Sequence, residues 1–161
     1  MKGDPGVIDF LNDALRHELT SISQFWLHFR LLRQWGFEEM AHRWKHESID
    51  EMVHADRLIS RLVFLEGTPD LQKLDPMMIG ETVREVLDAD LKVQYRARAL
   101  YREARDTAET SGDYVSKALF ETLLDDEEAR IDFLETQIDL CERVGEEEYG
   151  ELNAVPAEEA H

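Results

Sequence analysis

A chain of 161 residues is long enough for one domain with a substantial core and too short for two of ordinary size. Charged residues make up 34% and the formal net charge is -18, yet 43% of residues are hydrophobic, so the chain can bury a core and is not compositionally disordered. That balance repels nucleic-acid phosphates and anionic membrane surfaces and favours metal cations or basic partners; neither nucleic acid nor membrane is an expected ligand.

Apolar residues recur at three-and-four spacing over long stretches, which predicts an all-helical fold. Ile8, Leu11, Leu15, Ile22, Phe25 and Phe29 form the first stripe, giving a helix over about 5–34 that ends near Gly36. Met40, Trp44, Leu58 and Leu65 mark a second over about 37–65, stopped by "EGTPDLQKLDPMMIG" with two prolines and two glycines. Leu87, Ala97, Tyr101, Ala104 and Ala108 mark a third over about 82–111, ending at "SGD". Phe120, Leu123, Leu124, Ile131, Leu134 and Ile138 mark a fourth over about 114–144, before Gly145. Short links at Gly36 and Gly112 make two antiparallel hairpins, and the long link between them spans a bundle end to end. The expected architecture is a single domain, 1–161, built as a four-helix bundle with one long crossover, a short helix over about 147–153 and a polar tail. No segment has the ~18 uninterrupted apolar residues of a membrane span. The lone Cys141 and a start without a long apolar run lead us to expect a cytoplasmic protein.

Acidic residues interrupt these stripes. Glu18 lies three residues after Leu15 and four before Ile22; Glu51 lies seven after Trp44; His54 lies four before Leu58; Glu127 falls between Leu123 and Ile131. Glu47 stands one turn before Glu51 on the same side. A buried carboxylate without a partner costs several kcal/mol or takes up a proton, so three of them facing one core require a cation. Glu-x-x-His on a helix puts both ligands on one face, and carboxylate with imidazole suits iron, manganese or zinc. The alternative is that single acids sit in water at the bundle ends or pair with arginine. The ferritin-like di-iron pattern is a Glu from each of two helices and Glu-x-x-His from each of the other two. Four of its six places are filled here, and the other two hold Gln94 and Arg130.

The segments "NDALRHELTSISQFWLH", "HESIDEMVHADR", "FLEGTPDLQKL", "IGETVREVLDADL" and "DYVSKALFETLLDDEEARIDFLETQIDL" resemble, in order, those of the bacterioferritins, over nearly the whole chain. The resemblance implies a ferritin-like bundle assembled into a hollow shell of about two dozen subunits that stores ferric mineral. It also implies a ferroxidase centre in each bundle and haem b between paired subunits. Carried over by position, Glu18 and His54 match the terminal ligands of one iron, Glu51 and Glu127 the bridging carboxylates, and Gln94 and Arg130 replace the Glu and His that bind the second iron. A tyrosine often found near that centre falls on Phe25. Replacing Glu by Gln removes one negative charge, and replacing neutral His by Arg adds a positive one. The expectation is that the Arg130 guanidinium stands in for the second iron and pairs with Glu51 and Glu127. Arginine neither loses its proton nor ligates a cation, which would block a di-iron centre. The alternative has Arg130 turned to solvent beside a loose one-metal site.

By the same resemblance Met52 matches the axial haem ligand, and Leu19, Ile22, Ser23 and Trp26 match its pocket. On spacing alone Met52, on a second stripe with Ile49, Ile59 and Val63, is a packing residue. His46 and Asp50 match an inner-surface iron site or, equally, lie on an ordinary solvated face; His17, His28, His42 and His161 are read as surface or packing residues. The expected function is a haem-bearing iron-storage subunit with impaired or absent ferroxidase activity. It would work in a mixed shell beside a ferroxidase-competent subunit, with a ferredoxin as possible electron donor. Two rivals stand beside it: a homo-oligomeric ferroxidase acting at a partial iron site, and a metal-free structural bundle whose acids and Arg130 form a salt-bridge network.

Overall fold

The computed structural model describes residues 1–154 and consists of five helices in the order α1 (Pro5–Gln34), α2 (Glu38–Phe64), α3 (Val83–Ser111), α4 (Tyr114–Val144) and α5 (Glu146–Leu152). The expected polar tail and His161 lie outside the described residues. Among the described residues no helix is long and apolar enough to cross a membrane.

Local signals set most helix ends. Asp4 caps α1, its carboxylate accepting the Val7 N–H at 3.1 Å, with Pro5 at the first helical position where its missing N–H costs nothing. The Thr82 hydroxyl caps α3 through the Glu85 N–H at 3.2 Å, and Asp113 caps α4 through the Ser116 N–H at 2.9 Å. Gly112 ends α3 at φ 78°, a left-handed conformation that a β-carbon would penalise. No side-chain cap marks α2, which starts directly after the turn at Gly36.

α1 packs along α2 and α3 along α4 as two hairpins, and α1 also packs against α3. The segment from 65 to 82 crosses between the hairpins along α1, whose polar side chains hold it. Asn12 accepts the Asp70 N–H at 2.9 Å, the Thr20 hydroxyl that of Asp75 at 2.8 Å, Gln24 Oε1 that of Met78 at 2.9 Å and His28 Nε2 that of Gly80 at 3.0 Å. These bonds satisfy backbone groups that the sheetless crossover could not pair within itself.

Two apolar blocks form the core. One gathers Leu11, Leu15, Leu58, Leu62, Tyr101 and Phe120. The other gathers Phe25, Phe29, Trp44, Leu87, Leu134 and Tyr149. Between the two blocks each long helix carries a fully buried glutamate or glutamine: Glu18, Glu51, Gln94 and Glu127. The bundle therefore carries one polar layer across its middle.

Candidate metal centre

Glu18, Glu51, His54 and Glu127 each offer one ligand atom, and the four atoms lie within 4.8 Å of one another. They come from α1, α2 and α4, held by register rather than by sequence proximity. His54 Nδ1 stands 3.3 Å from Glu51 Oε1, 3.3 Å from Glu127 Oε1 and 3.7 Å from Glu18 Oε2. These contacts are ionic in distance but not aligned as hydrogen bonds, and Glu18 Oε2, Glu51 Oε2, Glu127 Oε1 and His54 Nδ1 are buried without a hydrogen-bond partner. Buried polar atoms are rarely left so, and several converging at one place suit a cation between them.

The outer atoms of the four residues are fixed. His54 Nε2 donates to Asp126 Oδ2 at 2.9 Å, which turns Nδ1 inward. The Tyr101 hydroxyl donates to Glu18 Oε1 in a short bond. Burial pushes the Glu18 carboxyl up, as do the charges of Glu51 and Glu127. Burial, followed by the Glu51 charge, pushes Glu127 up to about 7 against the pull of Arg130 and His54. For Glu51 burial acts upward, but Arg130, Glu18 and His54 outweigh it and hold the carboxyl well below its ordinary range. His54 follows the same competition with the sign reversed: burial lowers it, and Glu127, Glu18 and Glu51 raise it far above the usual histidine value. Without a metal those carboxylates favour a protonated imidazole, a second cation beside the Arg130 guanidinium.

Arg130 is buried in the layer. Its Nε donates to Glu47 Oε2 at 2.5 Å, and its Nη1 donates to Glu51 Oε1 in a short bond and to Glu127 Oε2 at 3.3 Å. Glu47 Oε1 accepts in turn from Arg43 Nε at 2.6 Å. The guanidinium carbon lies 5.2 Å from the centroid of Phe25, so one face rests on an aromatic ring. An outward-turned Arg130 is excluded. Gln94 is fully buried, and neither its amide nitrogen nor its oxygen has a partner. A pocket of about 500 Å³, lined by Arg43, Glu47, Asp50, His54, Asp126 and Arg130 among others, opens beside the layer.

The charges of the layer can be counted. Glu47 is shared with Arg43, leaving Glu18, Glu51 and Glu127 against Arg130. With His54 neutral the remainder is two negative charges, those of one divalent ion.

Asp126, the hydroxyl of Tyr101 and the part played by Glu47 are not singled out by the sequence, because each acts across helices. Of the histidines expected as surface or packing residues, His28 is fully buried, its Nδ1 donating to Asp90 at 2.9 Å. His17 is also buried, edge-on to Tyr101, while His42 is exposed. His46 and Asp50 are exposed on α2, and His46 meets His42 edge-on at 4.9 Å between ring centroids. Met52 lies apart from the metal layer on a different face of α2, 57% exposed beside Ile49, which is 43% exposed. Leu19, Ile22 and Ser23 are half-buried on α1, and Trp26 is exposed.

The family model of the ferritin-like domain matches residues 8–144. The chain is 58% identical over 160 residues to a bacterioferritin of Brucella melitensis and 56% identical over 160 residues to one of Rhodobacter capsulatus, covering 99% of each chain in both cases. It is 40% identical over 149 residues to a bacterioferritin of Mycobacterium tuberculosis, covering 92% of this chain and 94% of the other. The solved Rhodobacter capsulatus bacterioferritin, which has a metal-free dinuclear site and a haem iron on a crystallographic special position, superimposes with a TM-score of 0.96 at 57% identity over 98% of both chains. With this fold, this buried ligand layer and these relatives, the chain belongs to the bacterioferritin family of ferritin-like proteins, whose work is iron storage.

Proposed function

We propose that this chain is a storage subunit of an oligomeric bacterioferritin shell whose own centre takes one iron, and that it shares the shell with a subunit carrying a complete ferroxidase centre. The observation that carries this reading is the buried Arg130 bonded to Glu47, Glu51 and Glu127. A fixed guanidinium among the carboxylates, with the neutral amide of Gln94 in place of a fourth carboxylate, leaves charge for a single divalent cation. Glu18, Glu51, His54 and Glu127 are the residues that would hold it. Iron is cargo and substrate here. The His46 and Asp50 face of α2 is a further place for iron to pause on its way to mineral.

Haem b belongs to the same reading. Met52 presents a thioether on an exposed apolar face of α2 with Ile49, while the exposed Trp26 and the half-buried Leu19, Ile22 and Ser23 lie on α1, the helix packed along α2, and residues of these types suit a haem shared with a second copy. Bound there, haem supplies one-electron transfer, and thioether ligation favours the reduced iron. The protein's part is to offer the sulfur, cover the ring with apolar side chains and keep it apart from the ligand layer. A ferredoxin-type donor in the cytoplasm would feed those electrons toward stored ferric mineral.

Anaerobic titration with ferrous iron or cobalt(II), followed by oxygen consumption, tests the centre. One metal per subunit, slow oxygen uptake alone and faster uptake in a mixed shell are expected. Two metals per subunit would end the one-iron reading. Expression with ample haem should give a Soret band that is lost in Met52→Leu, and a band unchanged by that substitution would remove Met52 from the haem. A partial-site ferroxidase remains as a second reading, favoured by the four converging ligand atoms and the adjacent pocket. Rapid iron-dependent oxygen consumption by the chain alone would select it. A metal-free bundle is distinguished by the absence of any metal to lose when Glu18 or His54 is replaced.

A further inference from the structure

Trp44 is almost wholly buried, and its indole Nε1 donates to Asp90 Oδ2 at 2.7 Å. Asp90 is fully buried and accepts two further bonds, from Gln24 Nε2 at 2.8 Å and from His28 Nδ1 at 2.9 Å. His28 Nε2 accepts the Gly80 N–H at 3.0 Å, so the one ring proton of His28 is the one given to Asp90. All three side-chain donors to Asp90 are therefore neutral. An ionised carboxylate buried without a cation is unusual, and here its charge lies directly against an indole N–H.

An aromatic path leads from this pair to the metal layer. The centroid of Phe25 is 6.4 Å from that of Trp44, and the Arg130 guanidinium, bonded to Glu51, lies 5.2 Å from Phe25. Trp44 precedes Glu51 by seven residues on α2, two turns or about 10 Å along the axis.

This inference rests on the reading of the layer as a one-iron site. One ferrous ion gives one electron, whereas reduction of a peroxide to water takes two. With only the first electron, ferrous iron and hydrogen peroxide yield ferric iron, hydroxide and a hydroxyl radical. We infer that Trp44 is the built-in source of the second electron, its oxidised indole held by the buried Asp90 carboxylate. The step balances. One hydrogen peroxide, one ferrous ion, Trp44 and two protons give one ferric ion, the Trp44 radical cation and two waters, as the O–O bond breaks and each oxygen leaves as water. A second ferrous ion then returns the electron to Trp44 and becomes ferric. The indole keeps its proton throughout, still donated to Asp90, and the carboxylate neutralises the new charge. Tyr101 is nearer the ligands but less suited. Its hydroxyl proton is donated to Glu18, and oxidation would place that proton on a ligand of the iron.

Two experiments test this separately from the one-iron reading. In metal-free protein carrying Trp26→Phe and Trp35→Phe, one-electron oxidation by azide radicals in pulse radiolysis should give a long-lived indole radical. Asp90→Asn should shorten its lifetime about tenfold, the difference between a charged and a neutral acceptor. A radical confined to tyrosine, or a lifetime unchanged in Asp90→Asn, overturns the inference. In the ferrous-loaded protein, freeze-quenching after peroxide addition should trap an electron paramagnetic resonance signal that changes with ring-deuterated tryptophan. That signal should vanish in Trp44→Phe, with spin-trapped hydroxyl radical rising severalfold. A signal that answers only to ring-deuterated tyrosine, or survives in Trp44→Phe, overturns it. Two metals per subunit in the titration would remove the one-iron reading alone, and the metal-free measurement would still judge Trp44.

Discussion

Arg130 and Glu47 are joined through Nε and Oε2 at 2.5 Å, and because Glu47 is gripped from its other oxygen by Arg43, the guanidinium is anchored on the side away from the ligands. Its Nη1 is thereby left to face Glu51 and Glu127. In the proposed one-iron reading the arginine takes the place of a second cation.

Restoring both altered positions, Gln94→Glu with Arg130→His, should raise metal binding from one to two ions per subunit in anaerobic titration. The initial rate of ferrous oxidation should rise by roughly tenfold or more, about 1.4 kcal/mol of barrier. Either substitution alone should do less, since each supplies only one of the two missing ligands. An unchanged stoichiometry in the double variant would place the defect elsewhere.

Arg130→Met should destabilise the metal-free protein by roughly 3–5 kcal/mol in chemical denaturation at neutral pH, because it leaves buried carboxylates without their cation. A divalent metal should recover most of that loss, by binding the folded state alone. A loss insensitive to metal would mean that the packing of Arg130 on Phe25 matters more than its charge.

Stability of the metal-free protein should fall as pH rises from about 5 to 8. Glu127, pushed from its ordinary 4.5 up to about 7, binds its proton more tightly folded than unfolded. Its contribution is complete below 4.5 and lost as pH rises through 7, on the order of 3 kcal/mol. His54 is also raised, so its contribution is complete below 6.5 and declines above it, with the same sign. Glu51 acts oppositely: its depressed carboxyl contributes above its ordinary 4.5 and is lost only as acid reaches its low folded value. Denaturant midpoints across this range, with and without divalent metal and in Glu127→Gln, isolate the site from the general self-repulsion of an acidic chain. Protons should be released on metal binding, and affinity should climb with pH.

Asp126→Asn should weaken cobalt(II) or ferrous binding about 10–100-fold, the usual effect of removing the partner that orients a ligating histidine. Asp126 is about half exposed, so the fold should be little affected. Calorimetric titration beside a thermal melt separates the two effects.

The helices were legible because their signals are local. Apolar spacing and the glycines at 36 and 112 act within one or two turns. Glu18, Glu51, His54 and Glu127 could be found for the same reason: each breaks the apolar stripe of its own helix, and the stripe shows which way it faces. The expectation that Arg130 stands where the family has a metal ligand came only from the family resemblance. What the sequence could not show were bonds between helices. Asp126 with His54, Tyr101 with Glu18, Arg130 with Glu47, and the cluster of Asp90 with His28, Gln24 and Trp44 join residues 46 to 83 positions apart.

By itself the amino-acid sequence determined an all-helical bundle, a single crossover and a set of acids turned toward its core, since periodicity, caps and turns are properties of neighbouring residues. Only the tertiary structure decided that Arg130 lies inward, that His54 is turned by Asp126, and that the buried His28 joins Trp44 at Asp90. Those outcomes depend on the axial register of four packed helices, which is set by the fit of the two apolar blocks and the length of the links, and no spacing along one helix contains it.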